Sequence, residues 1–560
     1  MIWRYRLILL IVILFFAAII ARLFYWQAVK GQELSLLGKS QYASVIKNLP
    51  ERGEIKTSDG FPVATNKISY LVYANPKEIK DREKISEILS SKLQISHASV
   101  SSQLSLDKFW VPLKSGVDPE KKREIEKLKI PGLGFEKRFE RYYPEASLSS
   151  HLLGFVGKTE TGEDQGYFGL EGYYDRLLRG KEEITVEVID ALGRPILSRV
   201  NKDTENTKGS TLVLNINRTI QFIVEEKLKK AIEFYGASGG MAGVMEPSTG
   251  NILAISSFPS YSPDNYKDFE PELYKNPFIS SLYEPGSTFK PVVMSSALDL
   301  KLVTPSMKCL ICGGPVSIGG YEIHTWNNKY HEDINMVDII RYSDNVGMVY
   351  VAQRLGTDNM IKYLGKFGIG EPTGIDLQGE VSKPLPEENL WYPVDLATKG
   401  FGQGISVTAI QLLGAFSAVA NKGVRMEPHV VARVQSPDGE GAKIPLKTLG
   451  RTVSSQTAKI MTEILVNAVN KGEASWTRLK GYRIAGKTGT ASIPIEGHYD
   501  PHKTIASFIG FAPADNPKFA LIVILDKPTT SIYGSETAAP VFFDIARDLL
   551  LYYGISPSGE

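Results

Sequence analysis

The stretch EPGSTFKP, residues 284–291, places a serine and a lysine three apart where Pro285, Gly286 and Pro291 crowd a helix start. The run that follows, PVVMSSALDL, is apolar at helical spacing, which predicts a helix beginning near Ser287 with Lys290 in its first turn. Proline is tolerated there because the first amides of a helix have no carbonyl partner to lose. The Ser287 hydroxyl then sits at the positive end of the helix and Lys290 lies on the same face. Both are expected at a solvent-facing cleft. An isolated S-x-x-K is more often a capping serine followed by a solvated lysine, and the chain holds two others, Ser44 to Lys47 and Ser105 to Lys108.

Two motifs downstream change those odds. YSDN brings Ser343, Asp344 and Asn345 after the helical pattern NMVDIIR, and GKTGT brings Lys487, Thr488, Gly489 and Thr490 ahead of strand-like residues. S-x-x-K, then S-D-N, then K-T-G is the ordered signature of class A β-lactamases and penicillin-binding proteins. A rival reading starts from GYRIAGKT (481–488), which fits the P-loop pattern, with LIVILD (521–526) as the strand and aspartate that would hold magnesium. A P-loop must lead from a strand into a helix whose amides hold phosphate. GTASIPIEGHYDP is too rich in Gly, Ser and Pro for that, and Asp526 is read as merely ending a buried strand.

The 560 residues are 43% apolar and 22% charged, enough to bury several cores. A net charge of +2 offers no electrostatic case for nucleic acid as a partner. No repeat period is visible, so a solenoid is not expected. Leu7 to Ala21 is an uninterrupted apolar run, extended past Arg22 to Tyr25 and Trp26. The stretch to Trp26 spans about 30 Å if Arg22 snorkels, which matches a bilayer. Helix-compatible residues continue through QAVKGQELSLLGKS without a cleavage signal, so an uncleaved anchor is expected over a signal peptide. Arg4 and Arg6 place the short tail inside and the bulk of the chain outside the cytoplasm, although Arg22, Lys30 and Lys39 on the far side weaken that argument.

From about Pro50, strand-like runs alternate with turns such as Ser58-Asp59-Gly60 and with charged helical stretches, DREKISEILSSKL and DPEKKREIEKLK. No convergent catalytic residues stand out in this segment. Composition turns polar around NKDTENTKGS (201–210), a boundary; then TLVLNIN reads as a strand, RTIQFIVEEKLKKAIEFYG as an amphipathic helix, and MAGVMEPSTGNILAISS as a hairpin. The expected divisions are a tail over 1–6, an anchor over 7–26, a non-catalytic, dimerisation-type pedestal over 27–205, and a catalytic domain over 206–560.

The chain resembles the class B penicillin-binding proteins, monofunctional peptidoglycan D,D-transpeptidases. The likeness runs through the anchor, PERGEI and SDGFPVATN, HLLGFVG (151–157), GLEGYYD (169–175), EPGSTFKP, SDN, GFGQGISVT (400–408), AGKTGTA and ASFIGFAP (506–513). The closing YGSETAAPVFFDIARDLL is more similar to the division-specific, septal branch than to the elongation branch. No glycosyltransferase signature precedes the domain, which argues against the bifunctional class A enzymes, and about 70 residues after K-T-G are too few for appended PASTA modules. The resemblance implies a multidomain α+β fold: a transmembrane helix, a mixed α/β pedestal, and a transpeptidase domain whose antiparallel sheet is flanked by helices.

It also implies roles. Lys290 as free base takes the Ser287 proton during attack on the D-alanyl-D-alanine carbonyl of a stem peptide, on lipid-linked or nascent glycan. Amides of Ser287 and Thr490 form the oxyanion hole, Ser343 relays a proton to the departing D-alanine, and Asn345 holds the peptide. Lys487 supplies positive potential, Thr488 and Thr490 bind the terminal carboxylate, and Gly489 lets the strand approach closely. No metal or cofactor is implied. β-Lactams are implied as covalent inhibitors, and a membrane-embedded glycan polymerase and other divisome proteins as partners. A β-lactamase would need no membrane-tethered pedestal, and an inactive scaffold would be expected to have lost key side chains.

Cys309 and Cys312 form a C-x-x-C with His324 and His331 downstream, at gaps of 11 and 6 residues. Those gaps lie just outside zinc-finger spacing, so zinc is disfavoured. Two free thiols are the bland alternative. A local disulfide suits an oxidising exterior and is the expectation.

Overall fold

The computed structural model describes residues 2–34, 43–48, 50–145, 149–160, 162–181, 183–188, 208–495 and 498–558. Two readings fall partly elsewhere: residues 35–40 of the expected helical continuation and 201–207 of the polar boundary lie outside the described residues. The chain divides into two compact units, residues 1–51 with 180–208, and residues 52–179 with 209–560.

In the first unit a helix over Ile2–Phe24 runs into a π-helical turn, Tyr25–Val29, and none of its residues is buried. The 28 residues from Ile2 to Val29 are long and apolar enough to cross a membrane, about 42 Å at the helical rise. Arg22 lies over the Trp26 ring, 5.3 Å from its centre, so its charge is carried toward the aromatic end of the span. Ala43–Asn48 and Glu183–Val188 pair antiparallel in the same unit. Ser44 and Lys47 are therefore on a strand, and Ser105 caps the end of a helix rather than its start. Neither extra S-x-x-K resembles the one at Ser287.

The second unit holds two larger sheets. One has seven strands, in the order Gly441–Lys443, Val431–Gln435, Thr211–Leu214, Ile55–Lys56, Pro62–Ala74 and Val111–Val117, with Leu133–Tyr142 also paired to Pro62–Ala74. Helices form at Arg82–Leu93 and Pro119–Glu126, as the charged stretches predict, the first capped by Asp81 accepting from the Lys84 amide. Beside this sheet the PERGEI and GLEGYYD stretches meet. Glu171 is fully buried, and its two oxygens accept from Arg52 Nε at 2.7 Å and Arg141 Nε at 2.6 Å. Arg52 also donates to Asp175 at 2.8 Å. Burial alone would raise the Glu171 pKa, but the two guanidiniums together outweigh it and hold the carboxyl below its ordinary value.

The second sheet is antiparallel and five-stranded. Its strands are β1 (Gly239–Met245), β2 (Ile252–Phe258), β3 (Ala485–Ile495), β4 (His498–Ala512) and β5 (Phe519–Asp526), in the order β2-β1-β5-β4-β3. β5 is central and buried on both faces, which explains its unbroken apolar sequence. Leu521, Val523 and Leu525 face the helices α1 (Arg218–Tyr235) and α7 (Ala538–Tyr552), whereas Ile522 and Ile524 face the opposite core. That core contains α2 (Lys290–Asp299), α3 (Met336–Arg341), α4 (Asn345–Leu355), α5 (Ala409–Ala420) and α6 (Ser455–Lys471). α2 is buried nearly all round, so it is an interior helix and not a surface amphipath.

Candidate active site

Ser287 sits in a 3-10 turn, Gly286–Phe289, that passes directly into α2. The turn is pinned at Gly286, whose amide donates to Gly402 in the GFGQG loop at 3.0 Å. Ser287 is partly exposed, and its hydroxyl has no hydrogen-bond partner among the described residues.

Lys290 corrects one expectation. It does not face solvent: its side chain is among the largest fully buried ones, at 0% exposure. The α2 interior and the S-D-N turn close over it, and its amine is satisfied by them. Nζ donates to Ser343 O at 2.6 Å and to Asn345 Oδ1 at 2.8 Å, with Ser343 Oγ at 3.3 Å. Burial, followed by the nearby Lys487 charge, brings its pKa down to about 7 against the opposing pull of Asp344 and Glu473. A buried lysine of this kind can serve as a base near neutrality.

The S-D-N turn is shaped for this contact. Ser343 connects α3 to α4 in the left-handed region, φ 57°, which is costly for a residue with a side chain and typical of functional sites. Asp344 then caps α4 by accepting from the Gly347 amide at 2.8 Å, while Asn345 Nδ2 donates to the His324 carbonyl at 3.1 Å.

Lys487 lies on β3, the edge strand of the sheet, and is 3% exposed. Its Nζ donates to Thr488 Oγ1 at 2.9 Å and Thr488 O at 3.1 Å. Gly489 is where the nucleophile turn touches the strand: a Cβ there would stand 2.7 Å from Thr288 Cγ2 and 2.4 Å from Ser507 Oγ. Thr490 Oγ1 accepts from the Gly534 amide at 3.0 Å, which leaves its own proton free to donate. Because GYRIAGKT leads along a strand and not into a helix, the phosphate-cradling geometry of a P-loop is not formed. Asp526 ends β5 and accepts from Ser238 Oγ at 3.1 Å.

Three residues at the site carry no motif. Glu473 accepts from Thr488 Oγ1 at 2.9 Å, Gly534 orients Thr490, and the His324 carbonyl orients Asn345. Only Gly534 stood in a stretch that the resemblance had already marked. Cys309 and Cys312 are joined in a disulfide, as expected, so they are not metal ligands.

Comparison with known proteins gives the same picture. Residues 240–547 match the penicillin binding protein transpeptidase domain, and residues 47–214 match the penicillin-binding protein dimerisation domain. Stage V sporulation protein D of Bacillus subtilis is 34% identical over 562 residues, 99% of this chain and 86% of that protein. Peptidoglycan D,D-transpeptidase FtsI of Escherichia coli K12 is 29% identical over 564 residues, 99% of this chain and 92% of that protein. The crystal structure of penicillin binding protein 3 from Mycobacterium tuberculosis, complexed with aztreonam, superposes with a TM-score of 0.70 at 25% identity, covering 92% of this chain and 98% of that one. The chain belongs to the penicillin-binding proteins, as a class B member with a D,D-transpeptidase domain.

Proposed function

We propose that this class B enzyme cross-links peptidoglycan through an acyl-enzyme on Ser287, with Lys290 as its general base. The observation that carries the proposal is the buried Lys290 amine, held between Ser343 and Asn345 one turn beyond an unpartnered serine hydroxyl. As Ser287 Oγ attacks the carbonyl between the two terminal D-alanines of a stem peptide, its proton passes to Lys290 Nζ. The amides of Ser287 and Thr490 receive the oxyanion. Collapse of the intermediate breaks the C–N bond, and Ser343, beside the lysine, delivers the proton to the leaving D-alanine nitrogen. An amine of a neighbouring stem then attacks the ester, forming the cross-link and returning the serine.

The remaining assignments follow from position. β3 has one backbone edge available, on which an extended stem peptide can add as a further strand. Thr490 has a free donor for the terminal carboxylate, Thr488 stands beside it, Lys487 supplies positive potential, and Asn345 holds the peptide. We assign residues 1–6 to a cytoplasmic tail, 7–26 to a single membrane anchor, 27–205 to a pedestal, and 206–560 to an extracytoplasmic catalytic domain. The pedestal and anchor are where a membrane-embedded glycan polymerase and other division proteins are expected to dock. The closing YGSETAAPVFFDIARDLL segment supports a septal role, for which depletion should give filaments; round cells would favour elongation.

The test is covalent labelling. The detergent-solubilised full-length chain should gain the mass of one β-lactam, mapped to Ser287, and the adduct should persist for many minutes. Ser287→Ala should abolish it. A rapid return to unmodified enzyme with hydrolysed drug would favour a β-lactamase, and a folded chain with no adduct would sink the acyl-enzyme.

A further inference from the structure

Between the S-D-N turn and the K-T-G strand lies a carboxylate that belongs to neither motif. α6 ends at Lys471, and the next residue passes so near the end of α3 that a Cβ on Gly472 would stand 2.9 Å from the Arg341 carbonyl. That approach delivers Glu473 to Thr488. Thr488 Oγ1 donates to Glu473 Oε2 at 2.9 Å and accepts from Lys487 Nζ at 2.9 Å. Amine, hydroxyl and carboxylate are thus strung in one direction, each donating to the next.

We propose that Glu473 is a positioning residue that decides which of two buried lysines carries the proton, holding Lys487 as the ammonium and leaving Lys290 as the free base. The inference rests on the Ser287–Lys290 chemistry proposed above. Lys290 and Lys487 are both withdrawn from water, and in a poorly solvated place the Lys487 charge acts against a second ammonium at Lys290. A carboxylate linked through a hydroxyl to only one of them breaks the symmetry. The electrostatics run the same way. Burial lowers the pKa of both amines; at Lys487 Glu473 opposes it in part, whereas at Lys290 it is reinforced by Lys487 and only partly offset by Asp344 and Glu473. Glu473 also lines a cavity of about 220 Å³, where the charged and titratable groups facing it are Asp344, Arg341, Tyr342, Lys471, Lys329 and His331.

The experiment is the rate of acylation by a fluorescent penicillin against pH, from 5 to 10, in the full-length detergent-solubilised protein. Glu473→Gln keeps an oxygen acceptor for Thr488 and removes the charge. The wild type should give a bell, its acid limb set by loss of the Lys290 proton and its alkaline limb by loss of the Lys487 proton. In Glu473→Gln the alkaline limb should move to lower pH by on the order of one unit and the acid limb by less, because the carboxylate is tied through Thr488 to Lys487 and acts on Lys290 only from a distance. Glu473→Asp, which keeps the charge, should leave the limbs near their wild-type positions even if the bell is lower. Thr488→Val, which breaks the link without touching Glu473, should move the alkaline limb the same way, and it provides the test should the Gln variant not fold.

A Gln profile reduced in height with unmoved limbs, or an Asp profile displaced as far as the Gln one, would overturn the proposal while leaving the acyl-enzyme intact. A wild type that forms no adduct at Ser287 would overturn both.

Discussion

Replacing Lys290 by methionine tests the active site at its most buried point. Methionine nearly matches the length of the side chain and stays apolar, so the interior of α2 remains filled. What is lost is the amine and its hydrogen bonds to Ser343 O and Asn345 Oδ1. Leaving those two acceptors unpaired costs about 1–3 kcal/mol each, offset by no longer burying an ionisable group, so the protein should fold with a modestly changed melting temperature. Acylation should fall much further, by about 10²–10⁴, the usual scale for losing a positioned base. The pH profile makes the reasoning sharper. With the Lys290 pKa lowered to about 7 by burial and the neighbouring Lys487 charge, the working form is the neutral amine, gained as pH rises through that value. At pH 5.5 only about 3% of the amine would be neutral, so wild-type acylation should run roughly 30-fold below its plateau and climb about tenfold per pH unit. In Lys290→Met that climb should vanish. Stopped-flow labelling with a fluorescent penicillin reads both quantities. A methionine variant acylated at the wild-type rate, or a wild-type rate flat from pH 5 to 8, would refute the assignment of Lys290 as the base.

Gly489→Ala should cut acylation at least tenfold and lower the melting temperature, since its Cβ would press on Thr288 and Ser507 at 2.7 and 2.4 Å; labelling and a thermal melt of the same sample check it, and an unimpaired variant would remove the close-approach argument. Glu171→Ala should destabilise the protein by about 3–5 kcal/mol, the scale for stripping one partner from a buried ion cluster, measured by denaturant unfolding. Because the native Glu171 pKa is depressed, the stability it contributes is present above the unfolded carboxylate range and lost as pH falls through the native value. The gap between wild type and variant should therefore narrow in acid, and a gap constant with pH would contradict the ion-cluster account.

How much of this was legible in the sequence differs from residue to residue. Ser287, Ser343 and Lys487 were legible because each lies in a short motif whose local backbone, a helix start, a turn between helices and a strand, positions its own side chain. The order of the motifs supplied what their spacing could not. The burial of Lys290 was not legible: the residues that enclose it come from Ser343 and Asn345, more than fifty positions away, and no local pattern distinguishes an enclosed lysine from a solvated one. Glu473 was invisible for a related reason, since its meaning depends on α6 ending against Arg341. The seven-stranded sheet was missed because Ile55–Lys56 is only two residues long, too short to show a period, and pairs in parallel with Leu212–Val213.

That sheet makes the order of assembly matter. Thr211–Leu214 has Ile55–Lys56 on one side and Val431–Gln435 on the other, and the second partner follows about 220 residues later in the chain. Contacts so distant form slowly, because a long loop must close before any pairing rewards it. While the rest of the chain is still being made, the early strands wait with an open edge and with Ile55, Leu212 and Leu214 uncovered, all of which end almost fully buried. An open, apolar edge is a template for another chain. A protein cut to begin at residue 206 would have a permanent open edge on the other side of the same strand, having lost Ile55–Lys56. It is expected to associate through the exposed side of Thr211–Leu214, however complete its catalytic residues.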